Sequence, residues 1–169
     1  LGPVAGWRYS NMKWSAYGGD YIYSTYALYD TVGSFADGAI GISYEQWMST
    51  PYLGATARYS GPRWDVDATV IGSVFVDFED QDHHWMRNLR FDEAFESGGF
   101  VAAEFDAAYR ITEHFSVGGS FEYEKYFETK GGTDLYDIPS GRRLGGFAGD
   151  AAGAAYEALT VGLFAKLTI

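Results

Sequence analysis

Cysteine is absent from the 169 residues. That absence excludes a disulfide framework, a thiolate nucleophile and a cysteine-based metal site, and is compatible with an oxidising envelope. Long hydrophobic runs are missing as well. A membrane-crossing helix needs roughly 20 consecutive apolar residues, and the longest runs here, such as Val161 to Ala165 with Gly162 inside it, fall far short. No transmembrane helix is expected. Basic residues are few: 12 Lys and Arg face 23 Asp and Glu, giving a net charge of -11 and a pI near 4.5. Counterion release onto nucleic acid requires clustered Lys and Arg, so the balance argues against a nucleic-acid partner and favours cationic ones. The opening residues, Leu1 to Arg8, have neither the basic start nor the apolar stretch and small-residue site of a secretory signal. A removed signal, or a start inside a longer protein, is the expectation.

Aromatic rings are abundant, with 14 Tyr, 12 Phe and 5 Trp, yet mean hydropathy is only -0.19. That combination suits a membrane strand better than a membrane helix. Side chains on a strand alternate between two faces, and residues 64–78 alternate cleanly. One face reads Trp64, Val66, Ala68, Val70, Gly72, Val74, Val76, Phe78; the other reads Asp65, Asp67, Thr69, Ile71, Ser73, Phe75, Asp77. The pattern returns over 101–110 and 115–124. A soluble β-sandwich alternates too, and would need no detergent, so length has to help decide. Soluble strands run to about 5–6 residues, whereas these patterns persist for roughly 10–15, as a tilted membrane strand requires. Rings near segment ends (Trp47 and Tyr52, Tyr59 and Trp64, Tyr109 and Phe115) suggest interfacial girdles.

Connections alternate between short and long. Residues 60–63 and 111–114 read as tight turns, while 17–40, 79–97 and 130–152 read as long loops rich in glycine or charge. In outer-membrane barrels the short turns face the periplasm and the long loops face outside. The strands number about six, near 3–16, 41–59, 64–78, 98–110, 115–129 and 153–169. Closed single-chain barrels use about 8 or more, and unpaired edges in lipid are costly. The expected architecture is therefore all-β: an antiparallel transmembrane β-barrel, incomplete, with residues 1–169 as one partial barrel domain.

An ordered set of segments carries a family resemblance. It comprises Gly18-Gly19-Asp20-Tyr21-Ile22-Tyr23-Ser24 with Val32-Gly33-Ser34-Phe35, then Tyr44-Glu45-Gln46 and Pro51-Tyr52-Leu53-Gly54. Glu79-Asp80-Gln81-Asp82-His83-His84 and Gly131-Gly132-Thr133-Asp134-Leu135-Tyr136-Asp137 complete it. In order and spacing the chain resembles the last six strands of the omptins, ten-stranded outer-membrane endopeptidases. The resemblance implies a water activated between a His–Asp pair and a pair of aspartates. The His–Asp pair falls on His84 and Asp82, and Asp80 would line the pocket for a basic substrate side chain. Residues two apart on a strand share a face, so a carboxylate at 82 can orient an imidazole at 84 acting as general base.

The second aspartate pair belongs to earlier loops of the family and has no counterpart here, so these residues alone are expected to be inactive. No cofactor is implied beyond the catalytic water. Asn11 and Trp47 stand where the family binds lipopolysaccharide phosphates through arginines, which weakens the expectation of lipid-dependent activation. The implied partners are outer-membrane lipid and extracellular basic peptides or proteins, with the site facing outside the Gram-negative outer membrane. Other readings stay open: residues 79–84 as a solvated acidic loop, a divalent-metal site at the paired histidines, or a non-proteolytic adhesin displaying Tyr-rich loops. His83 is expected to point away from the pair, and His114 to sit in a short turn at the opposite end.

Overall fold

The computed structural model describes residues 1–95 and 98–168. Among the described residues nine strands are joined almost entirely by turns, and the sole helical turn is a 3-10 turn, Trp85–Arg87. The strands are β1 (Gly2–Tyr17), β2 (Asp20–Tyr23), β3 (Thr31–Ser34), β4 (Ile40–Ser60), β5 (Trp64–His84), β6 (Leu89–Phe95), β7 (Gly98–Arg110), β8 (Phe115–Asp137) and β9 (Arg143–Leu167). Both β6 and β7 pair with β5 on one side and β8 on the other, so they fill a single position in the sheet. The principal sheet is antiparallel in the order β1, β4, β5, β6 with β7, β8, β9; β2 and β3 form a separate hairpin. The six positions expected from alternation are present. The long loops at 79–97 and 130–152 are largely strand instead: β5 and β8 run on well past residues 78 and 129 before turning back. Dense charge hides this extension in the sequence, because both faces of a strand beyond the bilayer can be polar.

The sheet curls until non-neighbouring strands meet. Arg8 of β1 pairs with Glu124 of β8 at 2.5 Å, and its guanidinium lies 5.8 Å from the Phe100 ring centroid on β7. Inside the curl is an aromatic plug. Phe78 meets Phe95 edge-on at 5.3 Å and Tyr126 at 6.5 Å, Phe100 sits 4.5 Å from Tyr126, and Met48 and Val76 complete the packing. Below it the lumen is polar, with Arg58 bound to Asp67 at 2.5 Å and Arg110 to Asp65 at 2.8 Å. The outer face is oily: Leu53, Val70, Val74, Phe75, Phe105, Leu159 and Val161 are all exposed. Trp64 and Tyr109 pack against each other, tilted, with ring centroids 5.0 Å apart at the turn end of this belt. Polar inside and apolar outside is the inverse of a soluble sandwich and matches a barrel in lipid.

One irregularity governs everything above the belt. On β5 the pairing with β4 shifts between Gly72 and Asp77, and the pairing with β7 shifts between Ser73 and Val76, each by one extra residue on β5. This is a β-bulge, with Val74 and Phe75 both exposed. An added residue moves every later side chain to the other face. Below the bulge Trp64, Val66 and Val70 lie on the outer face, as their alternation predicts. Above it Val76 and Phe78 turn inward, which corrects the uninterrupted oily face read from the sequence. Pro51 occupies the matching gap in the β4–β5 ladder between Ser49 and Leu53, where its missing N–H breaks no regular bond. Gly131 allows β8 to approach β6 closely; a Cβ there would lie 2.1 Å from the Ala94 carbonyl oxygen.

Candidate active site

The inner face above the plug is built in rows set by ladder register. Gln46 pairs with Asp80, Asp80 with Glu93 and Glu93 with Thr133, forming a polar row directly over the aromatic one. The next row carries Tyr44, Asp82, Phe91 and Leu135; the highest carries Ile42, His84, Leu89 and Asp137. Outward neighbours at this height on β5 are Asp77, Glu79, Gln81 and His83, so the cluster stands beyond the apolar belt. The bulge is what aims residues 80, 82 and 84 inward.

Asp82 and His84 meet: the His84 Nε2 and Asp82 Oδ2 lie 2.9 Å apart, each side chain about one-quarter exposed. Phe91 braces the imidazole edge-on at 5.1 Å. That exposure leaves room for a reactant, while the ring and the carboxylate restrict the imidazole to one orientation. His83 lies apart from the pair and stacks on Trp85 at 4.9 Å, and the Trp85 Nε1 donates to Ser43 at 2.8 Å. Burial, then the charge of Arg90, holds the His83 imidazole below its ordinary pKa. His114 lies in the β7–β8 turn at the far end of the strands. Among the described residues no group of three or more His, Asp and Glu side chains converges as a metal site.

Asp80 lies deeper, only 3% exposed. The Tyr44 hydroxyl donates to its Oδ2 at 2.5 Å, and Gln46 Nε2 donates to that hydroxyl at 2.8 Å. Trp14 packs on the Tyr44 ring at 5.5 Å. Burial pushes the Asp80 carboxyl up to about 7; the Tyr44 hydrogen bond opposes the shift and the Glu93 charge adds to it. Tyr44 is raised too, by burial and then by its bond to Asp80. Glu93 was not singled out from the sequence, and Gln46 and Thr133 stand in the segments that carry the resemblance but had been given no role in the site. Hairpin arithmetic could have found Glu93: a turn centred between residues 84 and 89 sets 80 opposite 93. Asn11 and Trp47 pair across β1 and β4 on the outer face, and Asn11 donates to Glu45, which also binds Lys13 at 2.7 Å.

A curled antiparallel sheet with an oily exterior, a polar lumen and an acid–imidazole cluster at one mouth defines a membrane β-barrel with a lumen-facing polar site. The chain belongs to the omptin family, which it matches over residues 1–167. It is 34% identical over 160 residues to the plasminogen activator of Yersinia pestis, covering 95% of this chain and 50% of that protein. It is 29% identical over 140 residues to protease 7 of Escherichia coli, covering 81% of this chain and 44% of that one. The crystal structure of the outer membrane protease OmpT from Escherichia coli superposes with a TM-score of 0.82 at 25% identity, over 98% of this chain and 57% of that one. The chain thus spans about half the length of the relatives it matches. Family and fold together place it in the Gram-negative outer membrane, among proteins that include named proteases.

Proposed function

We propose that these residues supply the His–Asp half of an endopeptidase site that faces outside the cell and cuts peptides beside basic residues. The observation that carries the reading is the 2.9 Å contact between His84 and Asp82 on a partly open inner face. His84 takes a proton from the attacking water, Asp82 orients the imidazole and stabilises its cationic form, and Asp80 receives the basic substrate side chain. The barrel's lumen accounts for the balance of charge: a deep carboxylate above an apolar floor attracts a cation on a long apolar stem. The opposing aspartate pair lies outside these residues, so the 169 residues alone hydrolyse nothing, and the reaction belongs to the full-length protein. With Asn11 and Trp47 on the outer face and Lys13 already tied to Glu45, activity does not depend on lipopolysaccharide phosphates bound there.

The test is cleavage of a peptide with two adjacent basic residues by the full-length protein in detergent micelles. His84→Ala is expected to lower kcat/KM by roughly 10²–10⁴, the usual contribution of a positioned base. A variant as active as the parent would reject the assignment. A non-proteolytic adhesin is the second reading, favoured by the β2–β3 connection, where Tyr26 (97%), Leu28 (78%) and Tyr29 (69%) are exposed. A parent protein that is folded yet inert toward such peptides would favour it.

A further inference from the structure

Basic side chains are scarce in this chain, yet four of the 12 stand at the tips of the two hairpins that rise past the His84–Asp82 pair. Arg87 and Arg90 belong to the β5–β6 hairpin, Arg142 and Arg143 to the β8–β9 hairpin, and residues 85–91 and 138–143 contain no acid. Both tips are held firmly. Asn88, left-handed at φ 53, closes the first by donating its N–H to the Trp85 carbonyl at 3.2 Å. Gly141, at φ 67, closes the second by donating to the Asp137 carbonyl at 2.8 Å. The Ile138 N–H then donates to the Asn88 carbonyl at 2.9 Å, which joins one tip to the other. Two of the four charges are already engaged: Arg90 binds Asp92 at 2.7 Å and lies over the Tyr136 ring, and Arg143 binds Asp134 at 2.5 Å. Arg87 and Arg142 are exposed, and among the described residues neither has an ion-pair partner. Asp137, the acid nearest to Arg142 in the sequence, accepts both the N–H and the hydroxyl of Ser140.

We propose that Arg87 and Arg142 form a basic clamp that holds an acidic side chain of the peptide being cut, about three or four positions from the basic residue at the bond. The inference rests on the reading of His84 and Asp82 as half of an endopeptidase site. Ladder register sets the spacing. His84 pairs with Leu89 and Leu89 with Asp137, so both tips begin at the row of His84, and each free arginine lies within about 10 Å of that row along the strands. An extended peptide advances about 3.3 Å per residue and so covers that distance in about three. Charge decides the class of partner. Below the rim Asp80, Asp82 and Glu93 attract a cation and repel an anion; at the rim two unpaired guanidiniums do the reverse, and their planar forks match a carboxylate. A peptide that carries a basic residue at the cut and an acidic one a few positions away satisfies both levels. Exposed ion pairs are individually weak and screened by salt, so the clamp acts on capture of the substrate, in KM, and not on the chemical step.

The experiment compares peptides cut by the full-length protein in detergent micelles. Each peptide holds one pair of adjacent basic residues; one is flanked by glutamine, and two others carry glutamates at the third and fourth positions on the N-terminal or the C-terminal side. At about 0.01 M salt one of the acidic peptides is expected to show kcat/KM about fivefold above the glutamine peptide, through KM, as two exposed ion pairs allow. At about 0.15 M salt that advantage is expected to shrink several-fold. Combining Arg87→Gln with Arg142→Gln is expected to bring the ratio below one, because the acids of the mouth then act on the glutamates unopposed. Arg142→Glu is expected to turn the preference toward a peptide with lysines at the same positions. An acidic-to-neutral ratio equal in the parent and the double variant would overturn the inference, as would a ratio below one in the parent for both acidic peptides. Failure of the hydrolytic reading is seen separately, as cleavage of none of the peptides or as undiminished cleavage by His84→Ala.

Discussion

Asp80 shows how one residue can be both a structural cost and a chemical asset. Its carboxyl is buried over aromatic rings and faces Glu93, so its pKa rises from the ordinary 3.8 to about 7. The unfolded chain releases that proton near pH 4, the folded chain near pH 7. Between these values the folded state binds more protons, so stability falls as pH rises through the window. Urea midpoints of the micelle-folded protein are expected to drop from pH 4.5 to pH 8, and Glu93→Gln, which removes the opposing charge, is expected to reduce that drop. Equal pH slopes in the two proteins would show that the pair is not responsible. Asp82 and His84, each about one-quarter exposed, are less buried. Their separation of two residues was legible as a shared strand face, whereas Glu93 was reachable only by counting back across a turn whose charge resembled a loop.

At the scale of the element, β5 joins the two environments of the molecule, and the bulge at Val74 and Phe75 is its hinge of parity. Alternation identified the strand below the bulge and assigned its faces correctly: Asp65, Asp67 and Thr69 face the lumen and Val66 and Val70 face outward. Continued past residue 74, the same alternation puts Val76 and Phe78 in lipid and, with them, Asp80, Asp82 and His84. No residue in the run Ser73-Val74-Phe75-Val76 signals the break, since all four fit a regular strand; only the matching ladder gaps on both neighbours reveal it. Deleting Val74 from the full-length protein is expected to restore strict alternation and turn the site residues outward. Peptide cleavage should then fall at least as far as in His84→Ala. Retained cleavage in a folded deletion variant would mean the bulge does not aim the site.

For the whole molecule, the decisive property is inversion. Ordinary proteins bury oil and expose charge; here the belt of Leu53, Val70, Phe105 and Val161 faces out, and Arg58, Asp67 and Asp65 face in. Strand length, ring placement and polar alternation made that inversion readable in the sequence, and the family match and the OmpT likeness agree with it. The reach of the hairpins beyond the bilayer was less readable, since out of lipid neither face must be apolar and the alternation fades. Those extensions raise the Asp82–His84 pair above the plug, into the mouth at the long-hairpin end of the strands. The most direct test is a double-mutant cycle on intact Gram-negative cells carrying the full-length protein, with a dibasic peptide supplied in the medium. The parent is expected to cleave it without lysis, Asp82→Asn and His84→Ala each to lose most of that rate, and the combined variant to lose no more than His84→Ala alone, as for residues acting as one unit. Cleavage that requires lysis, or losses that multiply in the combined variant, would contradict an outward-facing His–Asp pair as the source of activity.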